Sequence, residues 1–176
     1  MDDFSPFNIE KIKTSLNSNN FREFLINKVK KTLDEMTSSN LNTSEQNGYE
    51  GVYRNNHKIE VDIDKKIIKI SNQTIIPVVN MNPNIANNYP NGFDLAKAVE
   101  YGTGIVGAGS IASGEAAKDG WQYDVNNHGQ SGWTYYIGET AFHTTGVTGT
   151  LIYEKTKQKI DENIDSWLME YIESIM

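Results

Sequence analysis

The chain has 176 residues, enough for one domain with a substantial core, and an ordinary globular composition of 38% hydrophobic and 22% charged residues. Its net charge of −7 argues against a surface that grips nucleic acid, which needs clustered Lys and Arg, and the complete lack of cysteine excludes disulfides, zinc-thiolate sites and thiol nucleophiles. The longest apolar run, Ile75-Ile76-Pro77-Val78-Val79, is far too short to span a bilayer, and the acidic N-terminus lacks the apolar stretch of a signal peptide.

Residues 7–37 carry the helical period. Phe21, Phe24, Leu25, Val29, Leu33 and Met36 recur at spacings of three and four, with basic residues between them. The polar cluster Asn17-Ser18-Asn19-Asn20 offers an N-cap that divides a short first helix from a longer second one. From Ser38 to Gly48 the chain reads as a polar loop.

Residues 49–79 read as strands. Ile59, Val61 and Ile63 alternate with charged residues, Asp64-Lys65-Lys66 supplies a turn, and Ile67 to Ser71 returns. Val52-Tyr53-Arg54 would add a further strand through Asn55-Asn56, and Pro77 confines Ile75 to Val79 to an edge or an extended connection. After an Asn- and Pro-rich loop over 80–92, Asn91 caps a short helix over 93–101 that stops at Gly102. Five glycines between Gly102 and Gly114 make 102–120 a flexible loop. Trp121 to Val125 and Trp133 to Ile137 read as the two strands of an aromatic hairpin over 121–137. A C-terminal helix over 150–175 follows, with Ile160, Ile164, Trp167, Leu168, Tyr171, Ile172 and Ile175 as its apolar stripe. The predicted fold is a single α+β domain over 1–176, in which a small, mostly antiparallel sheet packs with a long N-terminal helix and a C-terminal helix.

Catalytic chemistry finds little support. Gly102-Thr103-Gly104-Ile105-Val106-Gly107 fits the G-x-G-x-x-G spacing, but a dinucleotide site needs a buried strand before it and an amphipathic helix after it; here a helical run precedes and more glycine follows. His57, His128 and His143 are scattered and do not have metal-ligand spacing. The carboxylates Glu60, Asp62 and Asp64 lie on the polar face of a strand. The aromatics Trp121, Tyr123, Trp133, Tyr135 and Tyr136 admit three readings: sheet packing, a subunit interface, or a platform for sugar rings or bases. The platform reading makes the chain a carbohydrate-binding module.

The frame Val99-Glu100-Tyr101-Gly102-Thr103-Gly104, the paired runs Gly120-Trp121-Gln122-Tyr123 and Gly132-Trp133-Thr134-Tyr135, and the Thr-Gly segment His143 to Thr150 before a final helix stand in a distinctive order. This order, over roughly residues 20–175, resembles the gene-product-ten-like tail-component family of tailed phages, the neck, tail-completion or tail-terminator proteins of the head–tail joint. Where that family has a proline and an aromatic before the last helix, this chain has Gly149-Thr150-Leu151-Ile152. The resemblance implies a structural protein rather than an enzyme, without cofactor or metal. It implies a homo-oligomeric ring, six- or twelve-fold, that touches tail-tube or head-closure proteins, passes DNA only as cargo through its lumen and has no membrane contact. A phage-tail-like bacteriocin could use the same part. The implied location is the virion, with assembly in the bacterial cytoplasm. The expected assembly interface comprises Glu100, Tyr101, Gly102, Thr103, Gly104, Trp121, Tyr123, Trp133, Tyr135 and Gly146.

Overall fold

In a computed structural model of the chain, residues 6–41, 57–72, 74–76, 90–109, 120–125, 127–137 and 140–176 are described. Two helices open the chain: α1 (Pro6–Leu16) and α2 (Asn19–Asn40). Ser18 divides them as the polar cluster predicts. Its hydroxyl accepts the Phe21 N–H at 3.3 Å, filling one of the donor positions that a helix start leaves open. The helix α2 runs past the expected boundary at Met36-Thr37. Thr37 is buried and its hydroxyl donates to the Leu33 carbonyl at 2.7 Å, so a polar residue stays inside the helix without an unpaired group.

Strands β1 (His57–Asp62) and β2 (Ile67–Asn72) form the expected antiparallel hairpin, with Ile59 opposite Ile70 and Val61 opposite Ile68. The turn is fixed by Asp62, whose carboxylate accepts the Lys65 N–H at 3.0 Å, and by Lys66 in the left-handed region. The matched register puts Ile59, Val61, Ile68 and Ile70 on one face, toward the helices. The short strand β3 (Ile75–Ile76) pairs with β4 (Phe93–Asp94). The expected strand at 52–54, the remainder of the Ser38–Gly48 loop beyond Leu41, and residues 77–79 lie outside the described residues.

The helix predicted over 93–101 is α3 (Leu95–Tyr101), and its cap is Asp94 rather than Asn91: the Asp94 carboxylate accepts the Lys97 N–H at 3.0 Å while Phe93 and Asp94 are held in strand pairing. Next come β5 (Gly102–Thr103) and α4 (Gly104–Ala108). Part of the expected flexible loop over 102–120 is therefore ordered secondary structure; residues 110–119 lie outside the described residues.

The aromatic hairpin expected over 121–137 does not form. Residues 121–125 are a turn, a short 3-10 segment spans Gly129–Ser131, and β6 (Trp133–Ile137) pairs instead with β7 (Thr140–Thr144). The reason is local. The Asp124 carboxylate accepts the His128 N–H at 2.9 Å and the Gly129 N–H at 2.7 Å, which curls the chain where a hairpin would need it extended. Finally β8 (Gly146–Thr148) pairs with β5, and α5 (Ile152–Ile175) closes the chain. The sheet is thus four separate two-stranded antiparallel pairs, and the fold is α+β with the long helices expected at both ends.

Two apolar clusters hold these elements. In the first, Phe21, Leu25 and Val29 of α2 meet Ile160, Trp167 and Tyr171 of α5 and Val61 of β1. The Phe21 and Tyr171 rings lie 4.8 Å apart, within the range where aromatic pairs add to simple burial. In the second, Leu33 and Leu41 pack with Ala96 and Val99 of α3 and Ile152 of α5. Val29, Leu33 and Ile152 are fully buried, each stabilising the fold by roughly 1.5–3 kcal/mol relative to exposure. Among the described residues no helix is long and apolar enough to cross a membrane.

Candidate functional site

The second cluster brings the motif-bearing segment 99–104 against the start of α5. That helix begins at an unfavourable place. Leu151, at the N-cap position, has a left-handed backbone and no side chain able to accept a hydrogen bond. The missing cap comes from fifty residues away. The Glu100 carboxylate, 4% exposed, accepts the Tyr153 N–H at 3.0 and 3.2 Å from its two oxygens and the Glu154 N–H at 3.2 Å. Backbone bonds complete the tie: Thr150 N–H to the Val99 carbonyl at 3.0 Å and Leu151 N–H to the Glu100 carbonyl at 3.1 Å. A carboxylate at a helix N-terminus is favoured by the aligned peptide dipoles as well as by the orphan donors.

Beside this cap, Gly104 and Gly146 are bridged across the β5–β8 pair, both at positive φ (61° and 121°). A methyl group on Gly146 would run into the Thr103 carbonyl oxygen, and one on Gly104 into the Thr145 carbonyl oxygen. Backbone packs on backbone there, which only glycine permits. Thr144 closes the bend, its hydroxyl accepting the Gly146 N–H and donating to the Gly146 carbonyl, both at 3.0 Å.

Trp121 and Tyr123 join the same junction. The Trp121 indole N–H donates to the Gly102 carbonyl at 2.9 Å, and its ring lies 6.2 Å from that of Phe93. The Gly104 N–H donates to the Tyr123 carbonyl at 2.7 Å. The Tyr123 hydroxyl is buried without a hydrogen-bond partner among the described residues, and this burial raises its pKa. Of the ten residues expected at an assembly interface, Glu100, Gly102, Thr103, Gly104, Trp121, Tyr123 and Gly146 converge on this corner. Glu100 is not a surface contact: it is buried and holds the last helix. Tyr101 faces a groove beside α5. Trp133 and Tyr135 belong to the separate β6–β7 pair, opposite Thr144 and Phe142.

Sequence reasoning missed the partners of these residues: Thr144, Val147, Thr150 and Tyr153. The one available signal was Leu151 itself, a helix start lacking Ser, Thr, Asp or Asn at its cap. Tyr153 is tied from the other side by Asn72, whose side-chain amide donates to the Tyr153 hydroxyl at 2.8 Å. Burial, with Glu100 and Asp94 nearby, outweighs that bond and pushes the phenol up to about 12.

The corner offers little to a nucleotide. The strand before the glycine pattern is two residues long, the helix after it five, and the space beside Gly102 and Gly104 is filled by the protein's own backbone. No group of three or more His, Asp or Glu side chains placed to hold a metal occurs among the described residues. Comparison with protein-family models, with curated proteins and with solved structures returned no match.

Proposed function

We propose that this chain is a structural subunit that builds a ring at the head-proximal end of a phage tail or phage-tail-like particle, as a neck, tail-completion or tail-terminator part. One observation carries the reading. The segment that bears the family resemblance forms a backbone-packed corner locked to the C-terminal helix, and from that corner α4 presents Ile105 and Val106 to solvent at 41% and 39% exposure. A ring subunit needs both parts: a body that does not deform and apolar surface left over for a neighbour. An acidic chain also suits a lumen through which DNA slides without sticking. The subunit performs no catalysis and belongs to the virion, assembled in the bacterial cytoplasm.

The alternative reading, a carbohydrate-binding module, draws on Trp121 and Trp133 as one platform. Trp121 is engaged with Gly102 and Phe93 instead, and the two tryptophans lie on different strand-and-turn units. Labelling purified particles with an antibody to this chain tests the proposal. Signal at the head-proximal tube end supports it; signal elsewhere, or none on any particle, sinks it.

A further inference from the structure

The ring reading leaves open which surfaces of neighbouring subunits meet, and two unabsorbed features of the molecule answer each other. Between β2 and the first half of α5 runs an open groove of about 670 Å³. Its floor is apolar, built by Ile68, Ile70 and Ile164, and its rim carries Lys66, Lys69 and Lys157. All three lysines are exposed, and no ion pair engages Lys66 or Lys157 among the described residues. The strand edge of β2 beside it pairs with no other described strand.

The second half of the same helix shows the converse. Asp165, Met169, Glu173 and Met176 follow one another at spacings of four, four and three, which places them on one face. All four are exposed, the methionines at 53% and 70%. This face points away from the buried side formed by Ile160, Trp167 and Tyr171. The helix thus carries a basic-rimmed apolar groove at one end and an acidic, methionine-bearing stripe at the other, displaced along its axis by roughly 15 Å.

We propose that the groove receives the stripe of a second copy of this chain. Met169 and Met176 enter over Ile68, Ile70 and Ile164, while Asp165 and Glu173 meet the rim lysines. Methionine suits such a groove because its unbranched thioether adapts to irregular apolar surface. The opposite charges favour this pairing over groove with groove or stripe with stripe. Because the two surfaces differ and lie apart on one subunit, the contact is head-to-tail and propagates around a ring. The inference rests on the ring reading and specifies its interface.

The absence of cysteine makes the test direct. Full-length Ile67→Cys, beside the groove, and full-length Met169→Cys are mixed at high concentration under mild oxidation. The pair Lys31→Cys with Met169→Cys is the control. A mixed Ile67→Cys–Met169→Cys dimer forming at least tenfold faster than the control, slowed by adding Lys157→Glu and restored by combining that change with Glu173→Lys on the partner, is the expected result. Cross-linking no faster than the control, or dominated by like-with-like dimers, overturns the proposal. Electron microscopy of the unmodified chain in particles separates the two claims: rings joined through other surfaces sink this interface and leave the ring subunit intact, whereas no ring sinks both.

Discussion

Glu100 and Tyr153 are joined by two hydrogen bonds, from the Tyr153 backbone N–H to each oxygen of the Glu100 carboxylate, at 3.0 and 3.2 Å. Through this pair the most distinctive motif of the chain becomes the N-terminal cap of its last helix. Removing the carboxylate leaves buried N–H groups without acceptors. Glu100→Ala is expected to lower the folding free energy by about 2–3 kcal/mol, and Glu100→Gln by roughly 1 kcal/mol, since the amide keeps an acceptor oxygen but loses the charge. Urea unfolding followed by circular dichroism checks both. Equal stability of all three proteins would show that the cap contributes nothing.

The Gly104–Gly146 bridge makes a second prediction. Gly146→Ala forces both an unfavourable φ and a collision with the Thr103 carbonyl, so the β5–β8 pair must separate. A loss above about 3 kcal/mol is expected. Gly120→Ala is the control: its φ is also positive, at 68°, but nothing lies within 4 Å of the added methyl. It should cost only the backbone term, about 1–2 kcal/mol. Comparable losses at the two sites would remove the close approach as the cause.

Tyr153 ties stability to alkaline pH. Its phenol has a folded-state pKa of about 12 against an ordinary 10.0. A raised pKa means that the contribution is whole below pH 10 and is lost as pH rises from there through about 12, because the unfolded chain gives up this proton first. The loss is on the order of 2 kcal/mol over that window. Comparing the pH dependence of unfolding with that of Tyr153→Phe isolates it; parallel curves would contradict the burial of this hydroxyl.

Asp124 works at the acid end. The N–H groups of Gly129 and His128 hold its carboxyl below the ordinary 3.8. A depressed pKa contributes stability that is present above 3.8 and fades as pH falls through the lower folded value. Asp124→Asn should destabilise the turn at neutral pH and differ less and less from the parent as pH drops below that window. Amide hydrogen exchange at Gly129 reports this locally, and a difference that persists unchanged in acid would refute it.

The parts of this fold legible in the sequence are those set by local periodicity. The stripe from Phe21 to Leu33, the alternation of Ile59, Val61 and Ile63, and the stripe from Ile160 to Tyr171 each bury one face, and all three appear as read. The Ser18 cap was legible for the same reason, since its partner is three residues away. The junction around Gly104 and Gly146 was not. Its bonds link residues some forty to fifty positions apart, between segments too short to show any period. Glycine density suggests freedom when seen alone, yet here Gly104 and Gly146 let two backbones touch. The aromatic runs misled because Trp121 spends its N–H on Gly102 and Asp124 curls the chain, neither of which alters the strand-like spacing of the side chains. The pairing of β6 with β7 had a local cue in Gly138-Glu139, a two-residue Gly-X connection between Ile137 and Thr140.

The claim that organises these observations is that the corner at 99–104 braces a ring-building subunit. Cryo-electron microscopy of particles purified from cells expressing the full neighbouring gene set tests it most directly. The account predicts a closed ring of this chain at the head-proximal tube end, with Glu100 buried within each subunit against Tyr153 and with Ile105 and Val106 covered by a neighbour. Particles complete at that end without this chain, or a ring that leaves Ile105 and Val106 in solvent, would contradict it.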